Sequence, residues 1–175
     1  VWLDPRIWGE NTVLRKFLKT MKPGESIITG WDAEERSGIG LAAEYGLSTI
    51  PSDFYENATV YAGMQQLIKY PEVPKMPELE NKIYLAIYLS DGDNVQYCQH
   101  AMSELWDKAG RGSIPINWTI SPGLVDFGPG LLNHYYSTAT PNDFFASGPS
   151  GMGYSLIYDA HNYLWNATSG TNFIP

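Results

Sequence analysis

The segment Ile83-Tyr84-Leu85-Ala86-Ile87-Tyr88-Leu89 constrains the fold most strongly, because it runs straight into the polar turn Ser90-Asp91-Gly92-Asp93-Asn94. Seven nearly continuous apolar residues bounded by turn signals match a strand covered on both faces, the kind found in parallel sheets. After the turn, Val95, Cys98, Met102, Leu105 and Trp106 fall at helical spacing, and Gly110 closes the helix. Strand, turn and helix in this order form one half of a β/α crossover unit.

The same alternation extends to both sides. Glu10 to Met21 predicts an amphipathic helix with Val13, Leu14, Phe17, Leu18 and Met21 on one stripe. Pro23-Gly24 breaks it before a short strand over Ser26 to Gly30. A second helix is expected from Glu34 to Tyr45, stopped by Gly46 in a left-handed cap. Leu47 to Gly63 holds one or two short strands. Three prolines between Pro71 and Pro77 forbid regular structure, so residues 71–79 are read as a connector within a single domain spanning 1–175. Ile116 to Ile120 predicts another strand, Gly128 to Thr138 a helix, and Phe144-Phe145-Ala146 a last short strand. The fold class that follows is α/β, built from parallel β/α units.

Composition narrows the partners. The chain has 175 residues, 43% of them hydrophobic, enough for one domain with a sizeable core. With 11 basic and 19 acidic residues its formal net charge is −8, which opposes binding to nucleic acid or to an anionic membrane. No apolar run reaches the roughly 20 residues of a membrane-spanning helix. The chain opens at Val1 without a charged-then-apolar leader, so a signal peptide is not expected within it. The lone Cys98 allows no internal disulfide and fits a buried core thiol. Asn57, Asn117 and Asn166 each begin a glycosylation triplet, a pattern that chance often produces. His100, His134 and His161 have no metal-ligand spacing, and Gly148 to Gly153 does not sit between a strand and a helix as a nucleotide loop would. No metal and no cofactor are expected.

Chemistry in parallel β/α folds collects in the loops at the carboxyl ends of the strands. Three such loops are polar: Trp31-Asp32-Ala33-Glu34-Glu35, the turn Ser90 to Asn94, and Ser121-Pro122 with Asp126 beyond. Asp91 and Asp93 lie too close in the chain to flank a sugar from both sides, so the turn is read as half of a site completed by Glu35 or Glu34. Asp91 and Asp93 can equally bind a cation, or serve only structure: Asp93 or Asn94 capping the next helix while Asp91 shapes the turn. The 6 Trp, 12 Tyr and 6 Phe residues are core rings or platforms for a pyranose face. Asp91-Gly92-Asp93-Asn94-Val95 also matches the first motif of haloacid-dehalogenase-like phosphatases, with Asp91 as nucleophile and Asp93 as acid/base on a magnesium-bound phosphate. No matching downstream Lys or acidic pair follows.

Several short motifs in order point to one family. They are Gly30-Trp31 with Glu35; Ser52-Asp53-Phe54 with Asn57; Ser90 to Asn94; Arg111-Gly112 before Pro115 and Trp118; Ser121-Pro122; Tyr135-Tyr136 with Ala139-Thr140 and Asn142-Asp143; and Ser150-Gly151-Met152-Gly153-Tyr154. From about Trp2 to Tyr154 the chain resembles the bacterial GxGYxYP putative glycoside hydrolase family. The motif departs from the family after Tyr154, where Ser155-Leu156-Ile157 replaces the continuation with Tyr and Pro.

The resemblance implies a TIM-barrel-like catalytic domain of a secreted or periplasmic protein that carries further domains and acts on a glycan or oligosaccharide. A full barrel takes about 250 residues, so a chain of this length is expected to form an incomplete one. The expected catalytic residues are Asp91, Asp93, Glu35 and Glu34. Trp31, Asp53, Asn94, Trp118, Asp126 and Tyr154 are expected to contact substrate. The alternatives are a non-catalytic carbohydrate-binding module and the metal-dependent phosphatase.

Overall fold

The computed structural model describes residues 3–156. His161, the Asn166 triplet and Ile157 lie outside the described residues. Within them the chain is mixed α/β with parallel strands, in two compact units. Residues 3–54 together with 150–156 form unit 1, and Tyr55–Pro149 form unit 2.

Unit 1 runs α1 (Trp8–Leu18), β1 (Ile27–Thr29), α2 (Glu35–Ala43) and β2 (Ser48–Ile50). β1 and β2 pair in parallel with Ile27 opposite Ser48 and Thr29 opposite Ile50, so α2 is the crossover between them. Leu18, Leu41, Ala42 and Leu47 form the buried centre, with Leu14, Met21, Ile28 and Tyr45 packed against it. Of the predicted stripe, Leu14, Leu18 and Met21 make this contact, whereas Val13 and Phe17 are exposed. Gly46 has φ +68°, the left-handed position that lets the chain leave α2 without a Cβ clash.

Unit 2 holds α3 (Ala58–Ala62), β3 (Tyr88–Leu89), α4 (Val95–Gln99), α5 (Ala101–Trp106), β4 (Ile116–Ile120), α6 (Leu124–Phe127), α7 (Pro129–Thr138) and β5 (Asp143–Ser147). Its sheet has the order β3-β4-β5, every pair parallel. Val95, Cys98, Met102 and Trp106 are buried as their spacing requires, whereas Leu105 faces outward. The single predicted helix is instead two, divided at His100, whose φ −111° and ψ −84° interrupt the helical path. Trp106 anchors the core, with Trp118 and Tyr135 edge-on at 5.0 Å and Phe145 at 5.8 Å.

The strand predicted over Ile83 to Leu89 needs correction. Only Tyr88–Leu89 pairs with β4; Ile83 is 98% exposed and Leu85 is 85% exposed. A parallel strand forms where a neighbour supplies ladder partners. Among the described residues β3 is an edge with β4 on one side, and Asn117 reaches back no further than the Ile87 carbonyl. Residues 71–79 carry no regular structure and are exposed. No helix among the described residues is long and apolar enough to cross a membrane.

Candidate active site

The acidic turn of unit 2 is positioned by backbone contacts that only glycine allows. A Cβ on Gly92 would lie 1.7 Å from the Thr119 carbonyl oxygen, so the turn presses directly on β4. The Gly92 N–H donates to Thr119 Oγ1 at 2.9 Å, and that hydroxyl donates in turn to the Leu89 carbonyl. On the other side, a Cβ on Gly148 would fall 2.4 Å from the backbone nitrogen of Asp93 and 2.5 Å from its Cβ. Gly148 follows β5, and its N–H donates to the Ile120 carbonyl at 3.3 Å. The turn after β3 is thereby held between the carboxyl ends of β4 and β5.

This clamp separates the two aspartates. Asp93 is 2% exposed, while Asp91 is exposed to solvent. Asn94 stands at the N-cap position of α4 but makes no side-chain cap bond; its amide donates to Asp91 Oδ1 at 3.1 Å. Cys98 is fully buried and its Sγ–H donates to the Gly92 carbonyl at 3.3 Å. Burial first, then the Asp93 and Asp91 charges, pushes its thiol up to about 12, so it packs rather than reacts.

Two expected substrate contacts in this unit lie elsewhere. Trp118 is 3% exposed, edge-on to Trp106, and donates its indole N–H to Asp143 Oδ1 at 2.8 Å. The core takes up the ring, leaving no face for a sugar. Asp126 is exposed on α6 and lines a separate open groove of about 510 Å³ with Met64, Gln66, Val125 and Pro129.

Asp143, at the amino end of β5, receives Arg111 at 2.5 Å, the Trp118 indole, and both the N–H and hydroxyl of Thr140 at 2.8 Å. Burial alone would raise its carboxyl, but these donors outweigh that and hold it below the ordinary range. It lies at the end of the strands opposite the acidic turn, where such networks serve stability.

In unit 1 the loop after β1 divides its acids differently. Glu34 is the N-cap of α2, accepting from the backbone N–H groups of Arg36 at 3.2 Å and Ser37 at 2.8 Å, and from the Ser37 hydroxyl. Those bonds, led by the Ser37 hydroxyl, hold its carboxyl below the usual value. Of the two carboxylates expected to complete the acidic turn, Glu34 is therefore engaged in capping its own helix. Glu35 is exposed on the first turn of α2.

Asp32, which the sequence did not single out, points inward. A Cβ on Gly38 of α2 would lie 2.0 Å from Asp32 Oδ2, so the helix leaves room for this carboxyl and nothing more. Burial, and secondarily the Asp4 charge, raises its pKa. It lines an open cleft of about 480 Å³ together with Trp31, Asp53, Thr29 and Thr49. Trp31 meets Tyr154 edge-on at 5.2 Å. Tyr154 is fixed by a two-way bridge to β2: its N–H donates to the Thr49 carbonyl at 2.7 Å, and the Thr49 N–H donates back at 2.9 Å. Gly153 fits closely beside β2, where a Cβ would come within 3.1 Å of Ile50 and Thr49.

The predicted site residues thus fall into two sets. Trp31, Glu34, Glu35, Asp53 and Tyr154 belong to unit 1; Asp91, Asp93, Asn94, Trp118 and Asp126 belong to unit 2. Among the described residues no three His, Cys, Asp or Glu side chains gather as they would to hold a metal ion.

Comparison with known proteins agrees with the motif order. The family model described as the GxGYxYP putative glycoside hydrolase C-terminal domain matches residues 81–159, and the one described as the GxGYxYP third domain matches residues 1–63. No curated protein matches with significance. A crystal structure of a putative hydrolase from Bacteroides thetaiotaomicron is similar at 26% identity and a TM-score of 0.74, over 93% of this chain and 34% of that one. This chain therefore spans about a third of that relative's length. With two models of one family matching in succession along it, the chain belongs to the GxGYxYP family.

Proposed function

We propose that this chain is part of a glycoside hydrolase that cleaves its glycan with carboxylates at the carboxyl ends of parallel strands, in a TIM-barrel-like catalytic region of a secreted or periplasmic protein. The observation that carries the reading is the position of the acids. Asp32 follows β1, Asp53 follows β2 and Asp91 follows β3, each in a loop at the end where β/α folds do chemistry. Family membership supports the same activity. A cleft combining an indole with two carboxylates suits a pyranose, which offers an apolar face to the ring and hydroxyls to the acids.

Asp91 is the solvent-facing carboxylate of the acidic turn. Turnover of aryl glycosides by the full-length protein, seen as release of the aglycone, is the expected result and the test of this reading. Saccharide binding without turnover by the wild type would replace this reading with a carbohydrate-binding module.

A further inference from the structure

The two acids of one short loop, Asp32 and Glu34, experience opposite environments. Glu34 is bonded to N–H and hydroxyl donors, which favour its charge. Asp32 lines the open cleft beside Thr29, Thr49 and Asp53. It also forms part of an adjoining apolar groove lined by Val13, Leu14, Phe17, Ile28 and Leu41, in which it is the one carboxylate. A carboxyl between a polar cleft and an apolar wall resists ionisation, and such a contrast between neighbouring acids marks a proton donor. Asp53, exposed to solvent, lines the same cleft. The other charged group that acts on Asp32 is Asp4, itself paired with Arg6 at 2.7 Å.

We propose that Asp32 is the proton donor of glycoside cleavage in the unit 1 cleft, with Asp53 as its base and Gly38 as the positioning residue that seats it. The proposal rests on the hydrolase reading above. Asp32 gives its proton to the glycosidic oxygen as the bond from that oxygen to the anomeric carbon breaks, and the leaving group departs as a neutral alcohol. Water adds to the anomeric carbon and loses a proton to the Asp53 carboxylate. One carbon–oxygen bond is exchanged for another, the two carboxyls end with their protonation states swapped, and solvent restores them.

Leaving-group dependence tests this directly. A 2,4-dinitrophenyl glycoside departs without protonation, whereas a phenyl glycoside needs it. In the full-length protein, Asp32→Asn is expected to lower kcat/KM on phenyl glycosides by roughly 100-fold or more, while 2,4-dinitrophenyl glycosides lose less than about tenfold. The wild-type pH profile, which needs no variant, should show an alkaline limb above the ordinary carboxylate range, and that limb should vanish in Asp32→Asn. Gly38→Ala should reproduce the leaving-group pattern in weaker form. Equal losses on both substrates, or an alkaline limb that survives in Asp32→Asn, would overturn the assignment of Asp32 and leave the hydrolase reading standing. A wild type that hydrolyses neither aryl series would overturn both.

Discussion

The loops after β1 and β3 have nearly the same make-up: two or three acids close together, directly after a short parallel strand. The fold treats them differently. The turn after β3 is clamped from both sides by backbone, through Gly92 against Thr119 and Gly148 against Asp93, so one aspartate is sealed and the other exposed. The loop after β1 is sorted by side-chain bonds and apolar contact: Glu34 caps α2, and Asp32 turns into a partly apolar cleft. The difference shows that an acid's role depends on what approaches it from elsewhere in the chain more than on its immediate neighbours.

The largest effect should come from releasing the sheet that forms the clamp. Asp143→Ala leaves Arg111 without its buried partner and removes the acceptor for Trp118 and Thr140. It is expected to cost about 3–5 kcal/mol in urea unfolding. Because the folded state depresses the Asp143 pKa, the wild type keeps this stability above the ordinary aspartate range and loses it as pH falls through the folded value. The variant's stability should therefore vary less with pH in the acid range.

Gly148→Ala strikes the clamp itself, since the added methyl collides with the backbone of Asp93. A loss of about 3 kcal/mol is expected in the same measurement, with activity falling in step. If this variant melts like the wild type, the turn is not held as described, and its likeness to the freer loop after β1 would be restored.

The smallest effects have opposite signs and so sharpen the contrast within the β1 loop. Glu34 has a lowered pKa, so its contribution is present at neutral pH and lost as pH falls through its folded value; Glu34→Ala should lower the melting temperature at pH 7 and not at strongly acid pH. Asp32 has a raised pKa, so its contribution is full below the unfolded value and lost as pH rises through the folded one. Asp32→Asn should then raise the melting temperature modestly at pH 7, even as it removes the proposed proton donor. Melting curves at pH 3 and pH 7 separate the two variants.

Much of the scaffold was legible along the chain because it depends on local periodicity. The Leu14 and Leu18 edge of α1, the strand Ile116–Ile120 and the buried set Val95, Cys98, Met102 and Trp106 follow from residues three, four or two apart, and the stop at Gly46 from glycine's own conformational freedom. The parallel pairing of strands joined through helices follows from the same alternation. The apolar run from Ile83 to Leu89 shows the limit, because hydrophobicity marks a segment able to be a strand while only a neighbouring strand makes it one.

The sequence by itself determined which residues could carry chemistry and which segments could be helix or strand, since residue type and spacing are local properties. Tertiary structure alone decided which acid is sealed, which caps a helix and which meets the cleft. Gly148 approaches Asp93 from 55 positions away, and Arg111 meets Asp143 from 32 away. Even the short step from Asp32 to Gly38 needs α2 to be formed before its backbone lies against the carboxyl. Burial and charge environment are set by such contacts, and it is through them that one aspartate becomes a structural group and another a candidate acid.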